Sequence, residues 1–311
     1  MKDTRSEYTD IVNKLEKKYE AMGQDLSSYL DGLLYSDYLT YWDYIHVDTL
    51  LSLQNPKTSL PDEEVFIIYH QITELYFKLV LAEIKQVVGH PSLSREFFLE
   101  RINRLIRYFQ NLESSFNIMV EGLDPDQFLK FRMALLPASG FQSAQYRLIE
   151  ICSTDMINLV GTADREKYRN AELKDQLENL YWRNGATELA TGKKTLTLRQ
   201  FENKYMKVFL ETGQAYKEIN LRKIFQKHFP DDDEIKSRLK MYDQLVNVQW
   251  AMSHMKSAAK YLKRDPDDIK ATGGTNWQKY LPPRFQQIVF FPELWSEKEK
   301  QSWGSSFLGF K

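Results

Sequence analysis

Hydrophobic residues recur at every third or fourth position along several long stretches of the chain, and few segments alternate with a period of two. This spacing is typical of helices that bury one face. The clearest case follows Pro61 and runs from Asp62 to about Val88, with acidic residues in its first turn. Further long helices are predicted from Ser92 to about Glu121 and from about Asp232 to Leu262. The pattern therefore predicts an all-α helical bundle.

Proline and serine residues indicate where the shorter helices begin and end. Pro125 stands at the first turn of a predicted helix that ends before Pro137. Ser139 is followed three residues later by Gln142, the pattern of a capping box, and predicts the start of a helix that runs past Cys152. The same serine is also a candidate for contact with a ligand.

The organisation of the chain predicts one domain. No internal repeat, low-complexity linker or shift in composition divides it. The polar region from about 162 to 194 is interpreted as surface helices with loops. We expect a single all-α domain over 1–311.

Composition narrows the classes of function. The 311 residues include 42% hydrophobic and 14% aromatic residues, enough for a sizeable core, and the net charge is −1. This balance gives no indication of a nucleic-acid or anionic-membrane partner. Cys152 is the single cysteine, so an intrachain disulfide is excluded. It lies within an apolar segment, and we expect it to be a core residue. The N-terminus lacks the apolar region of a signal peptide, and we expect no membrane-spanning run of ~18 residues and a cytoplasmic protein.

Two arginines, Arg132 and Arg147, are set among aromatic and apolar residues on either side of a Pro-Ala-Ser-Gly break. A buried guanidinium is costly unless an anion or a hydrogen-bond network meets it. Such an arginine either forms an internal ion pair with a glutamate or binds an anionic ligand. The planar, fork-shaped guanidinium of Arg132 suits a substrate carboxylate better than the ammonium group of a lysine would.

Two of the five histidines stand on apolar helix faces. His70 shares a narrow face with Phe66 and Phe77, and a satisfied core histidine is the competing interpretation. His254 follows Trp250 by one turn within a Met-rich stretch, a pattern that more often serves packing. An imidazole on a bulky apolar face is nevertheless what a haem iron ligand requires. No HExxH or CxxCH motif is present.

Taken together, four blocks resemble the tryptophan 2,3-dioxygenase family, haem enzymes that open the indole ring of L-tryptophan. In chain order the blocks are YWDYIHVDTLLSLQNP (41–56), DEEVFIIYHQITELYFKLVLAEI (62–84), FRMALLPASGFQSAQYRLIE (131–150), and Trp250 to His254 followed by ATGGT and FFPELW (290–295). The resemblance implies an all-α, single-domain bundle that encloses a b-type haem, with O2 as co-substrate.

Roles for individual residues come from this resemblance alone. It implies that His254 is the proximal iron ligand, beside Trp250, and that His70 hydrogen-bonds the indole N–H on the distal side. Phe66 would wall the indole site, and Arg132 would bind the substrate carboxylate. The remaining implied site residues are Phe128, Ser139, Gly140 and Thr272, the last of them toward the substrate ammonium.

The resemblance also implies an assembly. Tyr41 and Tyr44 match tyrosines that in the family reach the site of a neighbouring subunit, so a homotetramer, a dimer of dimers, is expected, with the helical arm 1–40 at a subunit interface.

The implied reaction inserts O2 across the indole C2–C3 bond and gives N-formylkynurenine. The chain departs from the family pattern in the run WAMSH, in the continuation of the glycine loop and in an insertion at 263–270. These departures keep open a haem-dependent monooxygenase or hydroxylase that acts on a tryptophan-derived or other aromatic amino acid. A haem-binding or helical interaction protein without turnover is a third hypothesis.

Overall fold

A computed structural model describes residues 4–36, 40–134, 140–187, 193–262 and 282–305. Its backbone separates into two compact units, Met1–Gln54 and Asn55–Lys311. Over the described ranges no strand forms, and the only bridges are the isolated pairs Val160 with Leu180 and Thr187 with Lys194. The predicted all-α fold is confirmed. The single domain over 1–311 and the interface role of the arm 1–40 stay predictions.

The first unit consists of short helices. Their bounds are α1 Thr4–Ala21, α2 Leu26–Leu34, α3 Tyr41–Tyr44 and α4 Val47–Leu51. Side-chain caps fix the start of two of them: Asp25 accepts hydrogen bonds from the backbone amides of Ser27 and Ser28, and Thr40 accepts one from Asp43.

The second unit contains the long helices. In chain order they are α5 Pro61–Val88, α6 Arg95–Ser115, α7 Asn117–Glu121, α8 Pro125–Ala134, α9 Ala144–Ser153, α10 Met156–Leu159, α11 Arg165–Tyr168, α12 Leu173–Glu178, α13 Leu196–Tyr216, α14 Leu221–His228, α15 Asp233–Gln244, α16 Ala251–Leu262, α17 Pro283–Gln286 and α18 Glu297–Gln301. Short 3-10 turns cover Gly140–Gln142, Tyr181–Ala186 and Pro292–Leu294, and a π-helical turn covers Leu245–Trp250.

The core of the second unit lies where α5, α6, α9 and α15 pack together. Its largest fully buried side chains include Phe98 and Phe109 of α6 and Tyr242 of α15. The start of α5 is fixed by Glu63, whose carboxylate accepts hydrogen bonds of 2.7 Å from the amides of both Lys57 and Thr58. The loop before α5 is thereby fastened to the first turn of that helix.

Three predicted elements differ in detail from the structure. The helix that contains Cys152 begins at Ala144, and its cap is Ser143, which accepts from the amide of Tyr146, so the helix starts later than predicted. Ser139, to which the capping box was assigned, lies outside the described residues. The helix predicted to reach Glu121 is interrupted at Phe116, between α6 and α7. A serine or threonine is a plausible cap at several neighbouring positions, so sequence alone does not decide between them.

The third long helix is also interrupted. A π-helical turn, Leu245–Trp250, separates α15 from α16, where continuous α-helix was predicted. The region 162–194 is not wholly on the surface, because Leu177, Leu180 and Trp182 are buried.

Within the described residues, α5 is the one helix whose length and composition would suffice to cross a bilayer. The expectation that no such run exists is therefore wrong for this helix. Core helices of soluble proteins pass the same test of length and composition.

Candidate active site

The imidazole of His254 lies one turn after the π-helical turn, on α16. Its Nδ1 lies 3.0 Å from the carbonyl oxygen of Trp250, which can only accept, so Nδ1 carries the proton and Nε2 is left as the basic nitrogen. Burial lowers the pKa of His254 to about 4, a positive charge on His70 adding to the effect. The ring is therefore neutral at physiological pH, the form in which histidine binds a metal ion.

His70 has the same local arrangement on α5. Its Nδ1 lies 2.7 Å from the carbonyl oxygen of Phe66, one turn earlier. One side of His70 is exposed, but protein atoms crowd the ring from the other sides, and this desolvation lowers its pKa against the opposing effect of the Phe66 carbonyl and Glu74. Because the charge of His70 affects the pKa of His254, the two imidazoles lie within electrostatic reach.

Aromatic rings connect the two histidines. The ring of Phe116 lies 4.6 Å from His254 and 5.2 Å from Trp250, between centroids, and 5.8 Å from Tyr69. The edge of Tyr69 in turn meets His70 at 6.2 Å. Aromatic rings thus stand beside both imidazoles, and ring faces of this kind suit contact with a flat apolar ligand.

A second aromatic group lies on the other side of His70. Phe66 is 4.0 Å from His70, 5.6 Å from Phe131 and 6.2 Å from Phe128, between ring centroids. The Phe128 ring also contacts Tyr261 in a tilted arrangement, with 4.6 Å between the ring centroids. Phe66 and Phe128, predicted from different blocks of sequence, are therefore neighbours.

The position of α8 relative to α5 is set by two hydrogen bonds at their first turns. The Asp124 amide donates to Asp62 at 2.6 Å, and the Asp62 amide donates to Gln127 at 3.3 Å. This places Phe128 beside Phe66 and puts Arg132 one turn further along α8, where it is half-buried.

Arg147, the other arginine singled out in the sequence, has a different role. Its guanidinium lies 3.0 Å from the carboxylate of Glu150, and both side chains are at most 5% exposed. Tyr181 completes the group by donating to Glu150 at 2.6 Å. The internal-ion-pair interpretation is therefore correct for Arg147.

Several predicted site residues cannot be placed relative to these groups. Ser139 and Thr272 lie outside the described residues. Gly140 begins the 3-10 turn that precedes α9. Tyr41 and Tyr44 belong to the first unit, where they are 73% and 72% exposed.

Sequence reasoning missed three contributors: Phe116, Phe131 and Tyr261. Tyr261 stands two turns after His254 on the same helix face, a signal that the spacing did contain. Phe116 lies at the break between two helices, where helical spacing does not indicate the direction of its side chain.

The segment after α17 is anchored by a buried carboxylate, Asp243, at the end of α15. Its oxygens accept from the amides of Phe290 and Phe291 at 3.0–3.2 Å, from the Trp295 indole at 3.0 Å and from Asn247 at 2.8 Å. Burial raises the pKa of Asp243 to about 6, against the opposing effect of these donors. The FFPELW block is thereby fastened beside the π-helical turn that precedes His254.

Metal-binding potential rests on the two imidazoles. Over the part of the chain that the structure describes, no group of three or more His, Cys, Asp or Glu side chains could hold a metal ion. Cys152 is buried and its pKa is raised by burial to about 12, so the predicted core role is confirmed.

Comparison with known proteins identifies the family. The sequence model described as tryptophan 2,3-dioxygenase matches residues 32–269. Tryptophan 2,3-dioxygenase of Ruegeria sp. (strain TM1040) is 28% identical over 283 residues, which cover 84% of this chain and 92% of the relative. The enzyme of the same name from Bacillus thuringiensis subsp. konkukian (strain 97-27) is 26% identical over 278 residues, 86% of this chain and 94% of the relative. This chain accordingly belongs to the tryptophan 2,3-dioxygenase family of oxidoreductases.

Proposed function

We propose that the chain inserts both atoms of O2 across the C2–C3 bond of L-tryptophan and releases N-formylkynurenine. The single observation that carries this proposal is the pair of neutral imidazoles, His70 and His254, each held through Nδ1 by a carbonyl of its own helix. Family membership supplies the reaction class.

The residues present fit a haem. A histidine that would hold haem iron should be a neutral imidazole whose other ring nitrogen is hydrogen-bonded, and His254 meets both conditions. Apolar or aromatic side chains must cover a porphyrin, and Phe116 and Trp250 stand beside His254. One protein ligand is sufficient, because the porphyrin supplies four others. Haem iron, when bound, supplies the activation of O2 that no protein side chain can perform.

The substrate proposed for this site is an indole amino acid. Phe66 and Phe128 offer ring faces to the indole, and Arg132, one turn beyond Phe128, offers a guanidinium fork to the carboxylate. Ser139, Gly140 and Thr272 are assigned to the same site on the family resemblance.

His70 is proposed to orient the substrate. With its Nδ1 engaged by Phe66, its Nε2 is the nitrogen that can accept a hydrogen bond from the indole N–H. An indole N–H is a very weak acid, so a hydrogen bond explains the need for this histidine better than complete proton removal does. Holding both ends of the amino acid fixes C2–C3 relative to O2. Binding energy thereby offsets the entropic cost of aligning the reacting atoms.

The balance of the reaction requires no further reductant. Both oxygen atoms enter the product, one as the ketone at C3 and one as the formyl group on nitrogen, while the C2–C3 bond breaks. A hydroxylase would instead insert one atom and reduce the other to water with external electrons.

The proposed assembly is a cytoplasmic homotetramer. The family resemblance implies that Tyr41 and Tyr44 of one subunit approach the site of another. Their high exposure within the chain is consistent with a partner that covers them.

The experiment that tests the proposal supplies reduced, haem-loaded protein with L-tryptophan and 18O2, followed by mass spectrometry of the product. Two labelled oxygens in N-formylkynurenine would establish the dioxygenase. One labelled oxygen, or no product from protein with a normal haem spectrum, would instead favour the monooxygenase with a modified substrate, as the departures in the WAMSH run suggest.

A further inference from the structure

A hydroxyl from another helix reaches the π-helical turn Leu245–Trp250. Tyr146 of α9, only 8% exposed, donates a hydrogen bond of 3.2 Å to the carbonyl oxygen of Val246. Burial raises the pKa of Tyr146 well above its ordinary value, so this hydroxyl keeps its proton and remains a donor. The contact spans 100 residues of sequence and joins α9 to the start of the turn.

The next residue of the turn is fixed as well. The side-chain amide of Asn247, 5% exposed, donates to the buried carboxylate of Asp243 at 2.8 Å. The same carboxylate accepts from the backbone amides of Phe290 and Phe291. Two consecutive residues at the start of the π-helical turn are therefore bonded to groups that do not belong to it.

A π-helical turn needs support of this kind, because π-helix is rare and regular α-helix is the default arrangement of a helical segment. Closing the turn into α-helix would shift the register of α16 by one residue, and its side chains would leave the helix in different directions. The bonds at Val246 and Asn247 oppose this change. Breaking the first would leave the buried Tyr146 hydroxyl without a partner, which carries a desolvation cost.

The turn ends at the residue that orients His254. Trp250 is its last residue, and the Trp250 carbonyl accepts from Nδ1 of His254 at 3.0 Å. The Trp250 ring also lies 4.5 Å from the imidazole, between centroids. A group that fixes the turn therefore fixes both the direction of the imidazole and the hydrogen bond that leaves Nε2 as the basic nitrogen.

We propose that Tyr146 is a positioning residue for His254, acting through the Val246 carbonyl and the π-helical turn. The inference rests on the proposed function in taking His254 as the iron ligand. The other contacts of Tyr146 do not need its hydroxyl: the ring lies 5.4 Å from that of Phe77, between centroids, and the Arg147 guanidinium lies over it at 4.7 Å. Tyr146→Phe therefore removes the bond to the turn and keeps the packing.

Tyr242→Phe is the matched control. Tyr242 of α15 is fully buried, and its hydroxyl lies 3.0 Å from that of Ser153 on α9. The control thus also removes one buried hydrogen bond between α9 and the helix that leads into the turn, but it leaves the bond to Val246 in place. A general loosening of this contact would affect both variants alike, whereas a positioning role affects Tyr146→Phe alone.

Hydrogen exchange of the segment 245–254 tests the support of the turn in protein with and without haem. Loss of one buried hydrogen bond should make these amides exchange ~3- to 10-fold faster in Tyr146→Phe than in the parent or in Tyr242→Phe. Equal rates in the two variants would overturn the proposal. Circular dichroism checks that both variants fold.

Resonance Raman spectroscopy of the ferrous, haem-loaded protein then reads the iron–imidazole stretching band, which depends on how the ligand is oriented and hydrogen-bonded. The band should shift or split in Tyr146→Phe, and haem transfer to an apo-globin should be ~10-fold faster, while Tyr242→Phe should match the parent in both. An unchanged band and transfer rate in Tyr146→Phe, or equal changes in both variants, would overturn the proposal. A parent without this band would refute the ligand assignment and this proposal with it, whereas a normal band without N-formylkynurenine would refute the proposed reaction alone.

Discussion

The buried ion pair between Arg147 and Glu150 makes a quantitative prediction. Replacing Glu150 by glutamine keeps the shape of the side chain but leaves the guanidinium, which stays charged at any accessible pH, without its counter-ion. Both side chains are at most 5% exposed, so water cannot replace the carboxylate without rearrangement. Breaking one side of such a pair costs ~3–5 kcal/mol in the free energy of unfolding.

Neighbouring rings also contact the guanidinium. Its carbon lies 4.7 Å from the Tyr146 ring centroid and 5.6 Å from that of Tyr181. Such cation–π contacts contribute up to ~2 kcal/mol when desolvated, but they are present before and after the substitution and cancel in the difference. We therefore expect the full loss of ~3–5 kcal/mol, measured by urea unfolding.

Two controls isolate the buried charge as the cause. Glu166→Gln removes the partner of Arg169 in a pair that is 55% and 79% exposed, and should change the free energy of unfolding by less than ~1 kcal/mol. The double variant Arg147→Met/Glu150→Leu removes both charges and should recover most of the loss. A loss below ~1 kcal/mol for Glu150→Gln, or no recovery in the double variant, would refute this reasoning.

Three further predictions concern the site and its support. His254→Ala should purify without the Soret absorbance of haem. The control His228→Ala, which replaces an exposed histidine at the end of α14, should retain it. Full haem content in His254→Ala would exclude His254 as the iron ligand. Arg132→Met should raise the KM for the amino acid ~10- to 100-fold with an unchanged haem spectrum, and an unchanged KM would remove the carboxylate clamp. Asp243→Asn should flatten the pH dependence of unfolding, because the pKa of Asp243 is raised from 3.8 to about 6 and the native state therefore binds this proton more tightly. The protonated Asp243 therefore contributes up to ~3 kcal/mol to stability below pH ~4, and this contribution is lost as the pH rises through 6. The free energy of unfolding in urea should accordingly differ less between pH 4 and pH 7 in Asp243→Asn than in the parent protein. The exposed-site control Asp233→Asn should behave like the parent.

Much of the fold could be predicted because it depends on local pattern. Pro61 and the acidic residues after it mark the start of α5 within one residue. The start of α9 was missed because Ser139, with Gln142 three residues later, matches the capping box and Ser143, with Tyr146 there, does not, yet Ser143 is the residue that accepts from the Tyr146 amide. The break at Phe116 was missed because the hydrophobic spacing continues through it.

The site could be predicted only in part. Helical spacing placed His70 and Phe66 on one face, and family resemblance joined them to residues distant in sequence. Arg147 and Glu150 stand three residues apart on α9, so their pairing follows from local helical spacing. The contact of Tyr181 with this pair depends on how α9 packs against a distant segment, which no local pattern encodes. The same holds for Phe116, which immediately precedes α7 and whose ring meets His254 because α7 and α16 are neighbours in the fold.

The π-helical turn Leu245–Trp250 has a consequence for chain length. A π-helical turn accommodates one residue more than the corresponding α-helical turn. The residues beyond it are therefore rotated by ~100° from where the same sequence would place them in a continuous α-helix. Upstream, Tyr242 is fixed in the core; downstream, His254 faces the aromatic cluster. Removing one residue between them would let the segment close into regular α-helix and leave the imidazole facing the same neighbours, whereas a full-length segment that closed into regular α-helix would turn it away by ~100°. A one-residue deletion here should therefore preserve the direction in which His254 points, and a homologue with a one-residue gap in this segment would still present the histidine to the same aromatic cluster.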